Sequence, residues 1–173
     1  QQFEETADEL RQAVSGIPEL KELGKNLLVD NTPEGLRIQI VDQQGTAMFP
    51  SGSSRMSPQM RRLLGLVATA IKDVPKQVAI AGHTDSTRYA DPNGYGNWEL
   101  SADRALASRR ALVEMGFPET RVHRVVGRAD ADPLVANDLN NPQNRRISIV
   151  LLRDSIAKAD QERAMPKSLG LTR

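Results

Sequence analysis

Val78, Ala79, Ile80 and Ala81 form a run in which every side chain is apolar. A strand with one wet face alternates apolar and polar residues. A run with no polar parity has to lie inside a sheet, covered on both sides. The other apolar segments supply the neighbours that such a strand needs. Leu36, Ile38 and Ile40 alternate with Arg37 and Gln39, and Ile147, Ile149 and Leu151 alternate with Arg146 and Ser148. Both read as strands with one strongly apolar face. Val122, Val125 and Val126 mark another strand, and Leu27–Val29 a short candidate.

The helices announce themselves by capping and period. Ser57 suits an N-cap and Pro58 the first turn, where its missing N–H costs nothing. Met60, Leu63, Leu64, Val67, Ile71 and Val74 make one apolar face, and Pro75 stops it. A second long helix is predicted from Trp98 to Met115, with Trp98, Ala102, Ala105, Leu106, Leu112 and Val113 on its apolar face. Arg104 falls off that face, Arg109 near its middle, and Gly116 fits the C′ position. Phe3, Ala7, Leu10, Val14 and Ile17 form an amphipathic stripe bounded by Gly16 and Pro18. It reads either as a helix packed on its own domain or as a linker helix that pairs with a second copy or moves. The pattern predicts an α+β fold, an α/β sandwich with two long helices on a mixed sheet of about four strands and an extra N-terminal helix. Residues 1–24 read as a helical linker segment, 25–154 as the main domain, and 155–173 as a polar tail with one or two helical turns.

Composition excludes several function classes. With 23 basic against 22 acidic residues and 3% aromatics, there is no electrostatic footprint or stacking platform for nucleic acid. The absence of cysteine removes disulfides and thiolate metal sites. No run of 18 apolar residues is present, and the first residue is Gln, which reads as a processed or expressed fragment.

The chemistry concentrates in two blocks. Gly82-His83-Thr84-Asp85 follows the buried strand, and Asn97-Trp98-Glu99-Leu100-Ser101-Ala102-Asp103-Arg104-Ala105 opens the second helix. An acid at a strand end and an arginine on the next helix can converge across one loop. Together they suit a zwitterion, with an ammonium on the carboxylate and a carboxylate on the guanidinium fork. Such a pair recognises an amino-acid head group and does not transform it. His83, Asp85, Ser86 and Ser101 include the residue types of a hydrolytic triad, but no Gly-x-Ser-x-Gly elbow accompanies them. His83-x-Asp85 lacks further metal ligands, His123 reads as structural within a strand, and Asp130-Ala-Asp132 lacks the later ligands of a calcium loop. No metal or cofactor is expected.

With Asn144-Arg145-Arg146 entering the last strand, these blocks make a three-part pattern over roughly residues 36–152 that resembles the OmpA-like family of peptidoglycan-binding domains. Glu34–Asp42, Asn97–Ala105 and Arg124–Gly127 are more narrowly similar to the periplasmic domains of MotB-type flagellar stator proteins. The resemblance implies a non-enzymatic groove for the diaminopimelate-containing stem peptide. In it Asp85 meets the ligand's ammonium and Arg104 its carboxylate. Thr84, Asn97 and Leu100 line the groove, and Arg145 adds positive charge. Arg145 is favoured over Arg146 because it shares the parity of the covered Ile face. The resemblance also implies a homodimer, a periplasmic domain of an inner-membrane protein, and partners in a MotA-type stator subunit and flagellar basal-body rings. An OmpA-like outer-membrane protein or lipoprotein is the alternative, and a peptidoglycan hydrolase a remote one. The chain departs from the family in three places. The Ser86–Gly96 loop is long, Pro50 follows Phe49 where many members carry Asp, and Asn141-Pro142-Gln143 stands in place of the usual Gly-Arg.

Overall fold

The computed structural model describes residues 2–88 and 91–166. Five strands form one mixed sheet: β1 (Leu27–Asn31), β2 (Gly35–Val41), β3 (Val78–His83), β4 (Val122–Gly127) and β5 (Arg146–Leu152), in the order β1-β2-β5-β3-β4. The all-apolar run is β3, and it lies between β5 and β4. The Leu27–Val29 candidate becomes the edge strand β1, which makes five strands where the pattern predicted about four. β1/β2, β2/β5 and β5/β3 pair antiparallel, and β3/β4 pair parallel. β3 and β4 are joined by a crossover through the second long helix, and the first long helix crosses from β2 to β3 over the intervening β5.

Three helices cover the Ile face: α1 (Gln2–Gly16), α2 (Pro58–Ile71) and α3 (Asn97–Glu114). Ser57 caps α2 as expected, its hydroxyl accepting the Met60 N–H at 3.1 Å. Phe3, Ala7, Leu10 and Val14 of α1 are buried in the same core as Ile38, Ile80, Leu63 and Ile149. The N-terminal stripe is therefore packed against its own chain here. A 3₁₀ segment (Pro18–Asn26) carries it into β1.

α3 corrects the sequence reading. Trp98 is 59% exposed and Leu106 is exposed, although both were placed on the apolar face. The buried face instead carries Leu100, Ser101, Arg104, Ala105, Ser108, Ala111 and Leu112. The reason is steric. Gly82 and Gly127 are register partners on β3 and β4, and α3 rests directly on them. A Cβ on Gly82 would lie 2.1 Å from the Ser101 carbonyl oxygen, and one on Gly127 would lie 2.5 Å from the Ala102 nitrogen. At that separation the positions over the two glycines are filled by the small residues Ser101, Ala102 and Ala105. Arg109 is also accounted for: it pairs with Glu119.

The tail is more ordered than predicted. α4 (Asp154–Ala164) is an 11-residue helix. Ala157 and Ile156 meet Ala79, Val150 and Leu152, and Asp160 takes up His123 at 3.1 Å and Arg124 at 2.7 Å. His123 thus has a structural role. Residues 167–173 of the predicted tail lie outside the described residues.

Gly127→Ala should destabilise the domain by about 1–3 kcal/mol, the usual cost of overpacking, because the obstruction is helix backbone rather than a side-chain tip. Urea unfolding of the variant against wild type measures this.

Candidate functional site

The site follows from strand register. β5 lies between β2 and β3, antiparallel to both, so the residue before β5 has the residues just after β2 and β3 on its two sides. That residue is Arg145. Asp42 follows β2 and donates its N–H to the Arg145 carbonyl at 3.1 Å. Asp85 lies two residues beyond β3. The guanidinium bridges the two acids, with Nε to Asp42 Oδ2 at 2.8 Å and one Nη to Asp85 Oδ2 at 2.7 Å. Arg145 and Arg146 point to opposite faces, as strand alternation requires. Arg146 donates to the Gln39 side chain at 2.8 Å and to the Asp132 carbonyl at 2.8 Å, and burial pulls its pKa down to about 10.

The other oxygens of the two acids are also engaged. Asp42 Oδ1 accepts the Met48 N–H at 2.8 Å, and Asp85 Oδ1 accepts the Thr87 N–H at 2.9 Å. Burial pushes the Asp42 carboxyl up, opposed by its bonds to Arg145 and Met48. Burial pulls on Arg145 in the opposite sense, but its two carboxylate partners outweigh it and its pKa is raised.

Arg104 belongs to the same end of the fold and is held by backbone carbonyls of its own chain. It is 4% exposed. Its Nε donates to the Ser53 carbonyl at 2.8 Å and one Nη to the Pro50 carbonyl at 3.1 Å, and its guanidinium stacks 5.1 Å from the Phe49 ring centroid. These contacts tie α3 to the loop after β2. Arg145 pairs with Asp85, whereas the sequence reading had set Asp85 and Arg104 as the two ends of one clamp. Asp42, Met48, Phe49, Arg104 and Arg145 line a crevice of about 10 Å³, room for about one water.

The remaining expected residues divide by exposure. Asn97 is half-buried and its amide donates to the Thr87 carbonyl at 2.9 Å, which closes the loop after Asp85. Thr84 is buried, its hydroxyl on the Asp85 carbonyl at 2.8 Å and its N–H on the Ala129 carbonyl at 2.8 Å. Leu100 is 1% exposed and packs beneath the site. Ala129 has a left-handed backbone (φ 49°), a conformation unfavourable for a residue with a Cβ. Ser101 Oγ holds it there by accepting its N–H at 2.9 Å. Asn144 accepts the Val135 N–H and donates to the Asp138 carbonyl, and so fixes the loop beside the site. Positions 89 and 90 of the long loop lie outside the described residues.

Asp42 was missed as a site residue. Its signal was present: it closes an alternating apolar strand on the even parity, opposite an arginine that enters another strand. Two unrelated segments had to be placed side by side before that signal meant anything.

Comparison with known proteins bears on this geometry. The OmpA family matches residues 48–146. Motility protein B of Escherichia coli K12 is 41% identical over 152 residues, covering 87% of this chain and 49% of that relative. The chain thus spans about half the length of that protein. The periplasmic domain of Helicobacter pylori MotB shares the fold, with a TM-score of 0.66 at 19% identity, over 84% of this chain and 94% of that one. The cell wall anchor of the T6SS from Pseudomonas aeruginosa superposes with a TM-score of 0.64 at 25% identity, over 83% and 99% of the two chains.

His83 gives this end of the sheet a pH dependence. It is buried, its Nδ1 has no hydrogen-bond partner, and burial together with Arg146 lowers its pKa to about 3. A depressed histidine stabilises the fold above its unfolded value, near 6.5, and that contribution is lost as pH falls toward 3. The slope in that window approaches about 1.4 kcal/mol per pH unit for one proton. His83→Gln should flatten the acid limb of stability against pH by up to that amount, read from urea midpoints between pH 7 and 4. Separately, Arg104→Lys cannot fork across the Ser53 and Pro50 carbonyls. It should lower stability by about 1–3 kcal/mol, measured the same way.

Proposed function

The chain belongs to the OmpA family, and from that premise we propose that it binds the diaminopimelate-containing stem peptide of peptidoglycan without cleaving it. In doing so it anchors a flagellar motor stator to the cell wall. One observation carries this reading: three separate sequence blocks deliver opposite charges to a single sheet end. Asp85 comes from the loop after β3, Arg104 from α3, and Arg145 from the entry to β5. A stem-peptide diaminopimelate has a side-chain ammonium and carboxylate on one carbon, so a site with both signs in fixed positions suits it.

In this reading Asp85 receives the ammonium. Arg104 draws the carboxylate, and Arg145 adds positive charge beside it. Thr84, Asn97 and Leu100 set the loop and helix start that shape the mouth. The name of the Escherichia coli relative supports the motility role, and the name of the Pseudomonas aeruginosa structure supports wall anchoring. A homodimer, a MotA-type partner and basal-body ring contacts belong to the same proposal, as does a periplasmic location in a protein held by the inner membrane. No helix among the described residues is long and apolar enough to cross a membrane. Binding without turnover also suits a site whose polar groups are held by ion pairs and backbone bonds, with the neighbouring His83 buried and neutral.

Co-sedimentation with purified sacculi tests the reading. Wild type should pellet with the sacculi, and Asp85→Ala should lose most of that binding, by about tenfold or more in affinity. Equal pelleting of the two would remove Asp85 from the ligand. Soluble muropeptides in the supernatant would identify a hydrolase instead.

A further inference from the structure

The carboxylate assigned to the ligand's ammonium is already paired with a cation of its own chain. Both Asp85 oxygens have protein donors, Oδ1 from the Thr87 N–H and Oδ2 from Arg145. The crevice lined by Asp42, Arg104 and Arg145 has room for about one water. Arg145 is also the most accessible of the three, its side chain 28% exposed against 7% for Asp85 and 5% for Asp42. An incoming ammonium therefore meets the guanidinium before it meets the acid. It takes the place that Nη holds on the nearly buried Asp85 Oδ2 only when that Nη lets go.

Asp42 determines what happens to the guanidinium at that moment. Arg145 touches Asp42 through Nε and Asp85 through Nη. Those two donors belong to one planar group, so a small rotation keeps the Asp42 contact while releasing Asp85. Asp42 is itself fixed by the Met48 N–H and is buried. Its ionised form depends on keeping Arg145 close, since burial raises its pKa against the pull of that partner.

We propose that Asp42 is a positioning residue that retains Arg145 as an internal counter-ion, one that occupies Asp85 in the empty site and yields it to a ligand's ammonium. Selectivity follows. A ligand with a free ammonium replaces the charge that it displaces. A ligand whose amine is acylated leaves a buried carboxylate uncompensated, which is strongly unfavourable. The arrangement thus discriminates stem peptides with a free diaminopimelate amine from those in which cross-linking has acylated it. This inference rests on the reading of Asp85 as the ammonium partner.

Calorimetric titration of the chain with a purified muropeptide carrying a free diaminopimelate amine, and with the same muropeptide N-acetylated there, provides the test. Asp42→Asn keeps an oxygen for the Met48 N–H and removes only the charge. In that variant Arg145 moves fully onto Asp85, so affinity for the free-amine muropeptide should fall by about tenfold, with little change for the acetylated one. The loss should vanish when Arg145→Gln is combined with Asp42→Asn. Wild-type affinity in Asp42→Asn, or an equal loss in both backgrounds or for both ligands, overturns the proposal. Should Asp42→Asn fail to fold, the two ligands on the wild-type chain decide. The wild-type chain should bind the free-amine muropeptide at least about tenfold more tightly than the N-acetylated one, and equal affinity for the two would overturn the inference. If Asp85→Ala binds normally, the reading of the site fails and this inference with it. If Asp85→Ala loses binding but Asp42→Asn does not, the inference alone fails.

Discussion

Ser101 and Ala102 press on β3 and β4 so closely that neither Gly82 nor Gly127 has space for a side chain. Everything at the functional end inherits that contact. It sets the depth of α3, and with it the position of Arg104 one turn further on. It also brings Ser101 Oγ to the Ala129 N–H, and Ala129 in turn holds Thr84 through its carbonyl. The segment that leaves β3 toward Asp85 is therefore supported by the helix as well as by the sheet. A larger residue at either glycine would lift the helix, and the supports for Arg104 and Thr84 would move together.

The second determinant is the order of strands. An arginine entering the strand between two antiparallel neighbours has the exits of both on its flanks. With acids at those exits the bridge forms without any long-range adjustment. The charges are then satisfied inside the protein, a condition that buried ionised groups require. The departures from the family pattern take part in this construction. The Pro50 carbonyl receives Arg104, and the Asn141 side chain accepts the Gln143 N–H in the short turn that presents Asn144 and Arg145.

Much of this was legible one residue at a time. The all-apolar run placed β3 inside the sheet, Ser57-Pro58 marked the start of α2, and alternation set Arg145 and Arg146 on opposite faces. These signals are local, and local geometry decides them. The buried face of α3 was misread because hydrophobicity counts large apolar residues, whereas close helix–sheet contact selects small ones. Trp98 was turned inward by that rule and Arg104 outward, and both are reversed in the fold. α4 was underestimated because its apolar contribution is little more than Ile156 and Ala157, and much of its anchoring is ion pairing, of Asp160 with His123 and Arg124 and of Asp154 with Lys76. The partner of Asp85 was obscure for a different reason. Arg145 is 60 residues away, and only the strand order brings it near.

That separation bears on cooperativity. Arg145 lies 103 residues from Asp42 and 60 from Asp85. No fragment of the chain that lacks β2, β3 or β5 contains a pre-formed site, and no locally folded intermediate can display one. Recognition is thus an all-or-none property of the completed sheet. By mass action, any ligand held there adds its binding free energy to the global unfolding free energy of the domain rather than to one loop. Occupancy and fold integrity become a single equilibrium, so an engaged domain resists unfolding more than an idle one.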